Sequence, residues 1–178
     1  MSIQNTHPHP ITPAPLPQTR VLDIFDRLGK PHYHMLGNNC LYNLPRPRLN
    51  ERLNIPPSPG GGSHYSFSPH PTWRIVVLDA YALSVLGWPE GDPRVTLAKS
   101  LILANNPNAR AGRLNDPEGL EGPQRRFVAF NGGLGEEQLG WLDAQLGEAR
   151  SAGQRVILAC HLPMQPGVSV TELWKRGC

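Results

Sequence analysis

Three polar residues stand where an open α/β sheet gathers its ligands, just beyond the carboxyl ends of strands. The sequence predicts strands over 32–36, 73–79 and 155–160. Asn38 follows the first, Asp79 closes the second and His161 follows the third. An amide, a carboxylate and an imidazole are donor types that hold divalent cations. Each also has a plain structural reading. An Asn after Gly tolerates left-handed backbone and serves turns, a strand-terminal Asp caps the next element, and a lone His before Leu-Pro can be structural. Residue type and spacing leave both readings open.

The elements that must position these residues are legible to different degrees. Residues 1–18 carry five prolines (Pro8, Pro10, Pro13, Pro15, Pro17). Proline fixes φ and removes a donor, so a disordered tail is expected there, with a polyproline ligand for a partner domain as a second reading. Thr19 reads as the N-cap of a short helix with Val21, Leu22, Phe25 and Leu28 on one face and Gly29 at its end. His32–Leu36 reads as a strand and Gly37-Asn38-Asn39 as the turn leaving it. From Pro45 to Pro71 seven prolines and the run Gly60-Gly61-Gly62 predict an extended loop, relieved by strand-like alternation at Tyr65 and Phe67.

Trp73–Asp79 is a β-branched run typical of a strand covered on both faces. A helix is expected over Thr96–Ala104, and a strand over Arg126–Phe130. Leu139, Leu142 and Leu146 recur at helical spacing within 136–152, with acidic residues in the first turn and Gly153 after the last. That helix runs directly into the 155–160 strand. A helix feeding a buried strand is an α/β unit, and α/β is the predicted class.

Bulk properties narrow the function. A chain of 178 residues suits one sizeable core, and the expected organisation is a tail over 1–18 and one domain over 19–178. The net charge of +3 comes from scattered basic residues, which argues against nucleic acid as partner. No apolar run reaches the length of a membrane span, and the first residues have no secretory pattern. Three unpaired cysteines (Cys40, Cys160, Cys178) suit a reducing compartment, so a cytoplasmic protein is expected.

The wording around the three polar positions is more specific. Gly37-Asn38-Asn39-Cys40-Leu41-Tyr42-Asn43 resembles the Gly-Asn-His-x-x-Tyr-Asn segment of the ADP-ribose/CDP-alcohol diphosphatases, which are calcineurin-like metallophosphoesterases. Tyr65–Pro69 with Trp73-Arg74 and Leu78-Asp79-Ala80-Tyr81 resembles that family's next block. Phe130–Gly135 with Gln138-Leu139 and Trp141-Leu142 continues it, and His161-Leu162-Pro163-Met164 resembles its single-His motif. The four blocks are co-linear over residues 20–170. The resemblance implies a partial layered α/β/β/α sandwich and a binuclear divalent metal centre, with manganese as the expected metal. In such centres two ions about 3.5–4 Å apart clamp phosphate oxygens and activate water. It makes Asn38 and His161 ligands of one ion and Tyr42, Asn43 and Phe67 candidate lining residues for a nucleotide-diphosphate substrate.

The chain also departs from that pattern. Asn39 stands where the family has a catalytic His, and an amide cannot supply the general-acid assistance worth roughly 10²–10⁴ in rate. The family's early Asp motifs do not appear before Thr19, nor its closing Gly-His-x-His motif after His161. The expectation is therefore a partial domain, incomplete at both ends and inactive alone. A non-catalytic remnant that binds a nucleotide or a protein partner is the alternative.

Overall fold

The computed structural model describes residues 17–164. Two compact units result, divided between His32 and Tyr33. The first holds helix α1, Pro17–Arg27, which starts two residues before the expected Thr19 because proline is well suited to the first helical position. Val21 and Ile24 of this helix, and Leu28 just after it, are exposed. The remainder of the expected 1–18 tail lies outside the described residues.

The second unit opens with residues 33–37, which form neither helix nor strand, where a strand was predicted over 32–36. The segment is tied down by a side chain instead: the Tyr65 hydroxyl donates to the His34 carbonyl at 2.7 Å. Two short helices follow, α2 (Asn38–Asn43) and α3 (Arg46–Arg52). Strand β1 (Tyr65–His70) pairs antiparallel with β2 (Trp73–Leu78), as the alternation at Tyr65 and Phe67 implied. Helix α4 (Pro93–Asn105) is capped by Asp92, whose carboxylate accepts from the Arg94 amide. The short helix α5 spans Pro107–Arg110.

Helix α6 (Gly135–Ser151) begins with Glu136 and Glu137, which complement its dipole. It ends before Gly153, whose φ of +64° only glycine adopts freely. Strand β3 (Arg155–Cys160) then pairs parallel with β2, Trp73 opposite Arg155 and Leu78 opposite Cys160.

The strand expected over 126–130 is absent. Phe127, Val128 and Ala129 are buried there at 5%, 1% and 9% exposure, but as a turn closed by Asn131 N–H to Val128 O. A short apolar run marks burial without specifying a ladder.

The period-2 alternation of β2 builds the layers. Val77 faces Leu36, Leu41, Leu49, Ile55 and Tyr65, the side of α2 and α3. Val76 and Leu78 face Leu134, Leu139, Trp141 and Leu142, the side of α6. Leu78 is 0% exposed, and truncating such a leucine to alanine costs about 2–5 kcal/mol. Strand β3 has only β2 as neighbour among the described residues. Ile157 and Leu158, from its opposite faces, are 47% and 36% exposed, the apolar edge expected of a partial sheet.

Candidate functional site

Because β2 and β3 are parallel and in register to Leu78 and Cys160, the residues after them leave the sheet at the same edge. Asp79 leaves from β2 and His161 from β3. Asn38 reaches the site from α2, of which it is the first residue, with Gly37 as N-cap. The expected turn at 37–39 is thus a helix start, which explains the Gly-Asn pairing through the helix rather than through left-handed backbone.

Gly37 decides how close His161 can come. A Cβ built on Gly37 would fall 2.8 Å from His161 Cε1 and 3.0 Å from both ring nitrogens. The imidazole therefore rests on the bare backbone immediately before Asn38. Its other neighbour is the Tyr81 ring, 6.1 Å between centroids and inclined 41°. Asn38 is half-buried and His161 exposed, so both can reach a ligand from solvent.

Asp79 does other work. It is 1% exposed, and both carboxylate oxygens are engaged within the chain. Oδ2 pairs with the Arg46 guanidinium and accepts from the Ser63 amide at 3.1 Å, while Oδ1 accepts from the Tyr81 amide at 2.9 Å. Gln138 of α6 clasps its backbone in both directions, accepting from Asp79 N–H at 2.8 Å and donating to Asp79 C=O at 2.9 Å. The capping reading of Asp79 is the one that the geometry bears out.

Sequence reasoning missed this polar core. Arg46, 2% exposed, also donates to Ser63 Oγ at 2.9 Å and to Tyr81 O at 3.0 Å. Its guanidinium lies 4.1 Å from the centre of the Trp88 ring, which Arg94 approaches at 3.3 Å. Burial lowers the Arg46 pKa, and the Asp79 carboxylate opposes that shift. The signal available was helical spacing, since Arg46 and Leu49 share the buried face of α3, within a stretch whose prolines masked it.

The remaining predicted residues occupy separate places. Asn39 is exposed in the first turn of α2, and its carbonyl accepts from the Asn43 side chain at 2.5 Å. Tyr42 is 53% exposed. Phe67 lies on β1 opposite Ile75 and stacks on Tyr33, ring centres 3.6 Å apart. Cys160, beside His161, is a free thiol whose pKa burial raises.

The bare Gly37 backbone brings the His161 ring beside the start of α2, where Asn38 is the first residue. Two neutral donors supply part of one coordination shell and no charge compensation. Among the described residues no cluster of three or more His, Cys, Asp or Glu could hold a metal ion.

The sequence is similar to several known proteins. A manganese-dependent ADP-ribose/CDP-alcohol diphosphatase of Arabidopsis thaliana is 48% identical over 145 residues, 82% of this chain and 45% of the plant protein. The Oryza sativa protein of that name is 49% identical over 148 residues, covering 83% and 45%, and the Homo sapiens one 36% over 162, covering 84% and 46%. This chain resembles part of a manganese-dependent ADP-ribose/CDP-alcohol diphosphatase. It spans about half the length of the relatives it matches. A crystal structure of a dimetal phosphatase from Danio rerio superposes with a TM-score of 0.77 at 37% identity, covering 84% of this chain and 48% of the other. The α/β fold is therefore part of a dimetal phosphatase fold. No family model matches the sequence. Among the described residues no helix is long and apolar enough to cross a membrane.

Proposed function

We propose that this chain carries one portion of the metal site of a diphosphatase, with Asn38 and His161 as ligands of a shared divalent cation. The observation that carries the reading is the seating of the His161 imidazole on Gly37, directly before Asn38. The names of the plant and vertebrate relatives point to manganese as the metal, and to ADP-ribose or CDP-alcohols as substrates of the complete protein. The free Cys40 and Cys160 thiols favour a reducing, cytoplasmic setting.

When bound, divalent ions in such a site neutralise phosphate charge and activate water. This chain's own contribution is orientation. Asn38 offers an amide oxygen at the start of α2, and His161 offers an imidazole nitrogen from the end of β3. Asn39 can donate a hydrogen bond to a phosphate oxygen but no proton to a leaving group, because an amide does not titrate near neutral pH. Tyr42, Asn43 and Phe67 are proposed as lining residues. With two neutral ligands, this chain alone is proposed to lack a stoichiometric binuclear centre and to be inactive by itself.

A non-catalytic role in nucleotide or protein binding is the second reading, favoured by Asn39. The two separate in a full-length form of the protein assayed for ADP-ribose hydrolysis. Under the first reading it turns over, and Asn39→His accelerates it by roughly 10²–10⁴. If neither version hydrolyses ADP-ribose, the enzymatic reading fails. If the version with Asn39 already matches the His variant, the assigned role of that position fails.

A further inference from the structure

His64 stands directly before β1 and is 4% exposed, yet neither of its ring nitrogens has a hydrogen-bond partner. Its ring packs on the Trp141 indole of α6, 4.5 Å between centroids and inclined 55°. On its other side lies a glycine loop, residues 58–62. A Cβ built on Gly62 would fall 3.0 Å from His64 Nδ1 and 3.1 Å from Ser58 Oγ, a second buried polar atom without a partner. A buried polar group left unpaired costs stability that an apolar residue of similar size would not. Packing alone does not explain an imidazole here.

A partner for the charged form of the ring stands one helical turn away. Glu137 precedes Trp141 by four residues on α6, so the two side chains are neighbours on one face of that helix. The Glu137 carboxylate leans over the loop: a Cβ on Gly60 would lie 2.7 Å from its Oε2. Glu137 is exposed and makes no hydrogen bond or ion pair among the described residues. The other charges around His64 are committed elsewhere. Arg46 of α3 and Asp79 at the end of β2 hold each other, and Arg94 of α4 pairs with Asp92 while donating to Gly60 O at 2.7 Å. The loop has room to bend, since Gly60 and Gly61 have φ of +64° and +75°, backbone that glycine adopts freely.

We propose that His64 is a pH-sensitive latch between the glycine loop and α6. Neutral, its ring stays on Trp141 and holds the loop closed. Protonated, it leaves the indole for the Glu137 carboxylate and draws the loop with it. In the closed form burial holds the His64 pKa below its ordinary value, against the pull of Asp79 and Glu137 and with Arg46 adding to the shift. The closed form therefore binds the proton more weakly than the open one, and acidification below about pH 6.5 favours opening. The movement reaches the sheet edge through Ser63, whose amide donates to Asp79 Oδ2 at 3.1 Å and whose hydroxyl accepts from Arg46 at 2.9 Å. It involves neither Asn38 nor His161.

The test is a pH titration of the isotope-labelled chain from pH 7.5 to 5.0, following nuclear Overhauser contacts between the His64 ring and the Trp141 indole. These contacts should be present at pH 7.5 and vanish with one midpoint below about pH 6.5. The Gly60, Gly61 and Gly62 amide signals should shift with that midpoint, while the Trp73 indole signal on β2 stays in place. Glu137→Gln removes the acceptor charge at an exposed position, so half-release should need roughly 2–5-fold more protons. His64→Gln should leave the glycine amides unresponsive to pH. Ring contacts that are missing at pH 7.5, or that persist after the His64 ring has titrated, overturn the proposal. So does a midpoint that Glu137→Gln leaves unchanged. Joint loss of the Trp73 and Trp141 signals would mean global unfolding in place of a latch, and overturns it as well. If His64→Gln does not fold, the Glu137 variant decides alone.

Discussion

Arg46 and Asp79 pair across 33 residues of chain, the first residue of α3 against the residue that follows β2, with side chains 2% and 0% exposed. The pair is enclosed by Ser63, Tyr81 and Trp88. A carboxylate with that many donors within the chain serves the fold, although it stands at the sheet edge where ligands gather. The polar core determines where Tyr81 lies, and with it the wall of the candidate site.

Removing one partner of this pair should therefore be severe. Arg46→Ala leaves a buried, partly uncompensated carboxylate, and the expected loss is about 3–5 kcal/mol. Arg46→Met combined with Asp79→Leu removes both charges but strands the Ser63 and Tyr81 amides, so it should cost less than the sum of the single changes. Urea unfolding of the three variants gives the comparison. A loss below about 1 kcal/mol for Arg46→Ala would mean that the pair is not closed in solution.

Gly37→Ala separates the site from the fold. Gly37 has φ −112° and ψ 168°, extended backbone that alanine adopts without strain. The atoms nearest the added methyl belong to the His161 ring, an exposed side chain that can swing away. The melting transition should be nearly unchanged while the His161 ring signals shift and the joint response of Asn38 and His161 to Mn²⁺ is lost. Unmoved His161 signals in the folded variant would contradict the seating described.

His64 gives a pH dependence. It is 4% exposed, packs on Trp141 at 4.5 Å, and neither ring nitrogen has a hydrogen-bond partner. Burial lowers its pKa, with Asp79 and Glu137 opposing and Arg46 adding to the shift. The unfolded chain, with an ordinary histidine near pH 6.5, then takes up the proton first on acidification. Stability from this group is complete above about pH 6.5 and falls as pH drops from there toward the lowered folded value. Melting temperatures between pH 7.5 and 5.5 should show that decline, and His64→Gln should flatten it. A slope unaltered by the substitution would assign the decline to other groups.

The readable parts of the fold were those where one physical signal dominated. The β-branched run 73–78 and the acidic start and Gly153 stop of α6 both correspond to elements of the structure. The 32–36 and 126–130 segments carry equally apolar wording but find no partner strand, and burial there is met by turns and side-chain bonds. Pairing is a property of distant chain and leaves no local mark. At the site, His161 was legible as a strand-end residue, whereas Asn38 follows a segment that forms no strand and instead begins α2. The network of Arg46, Ser63, Tyr81 and Gln138 was not, because its members lie up to 92 residues apart and each looks ordinary in its own segment.

Asn38 and His161 are proposed to share one cation without forming a complete two-metal centre. Manganese bound per chain, measured by equilibrium dialysis and again after gel filtration, tests this directly. The expected result is at most one weakly held ion per chain, lost on the column and abolished by His161→Ala. Two manganese ions retained per chain after gel filtration would contradict it.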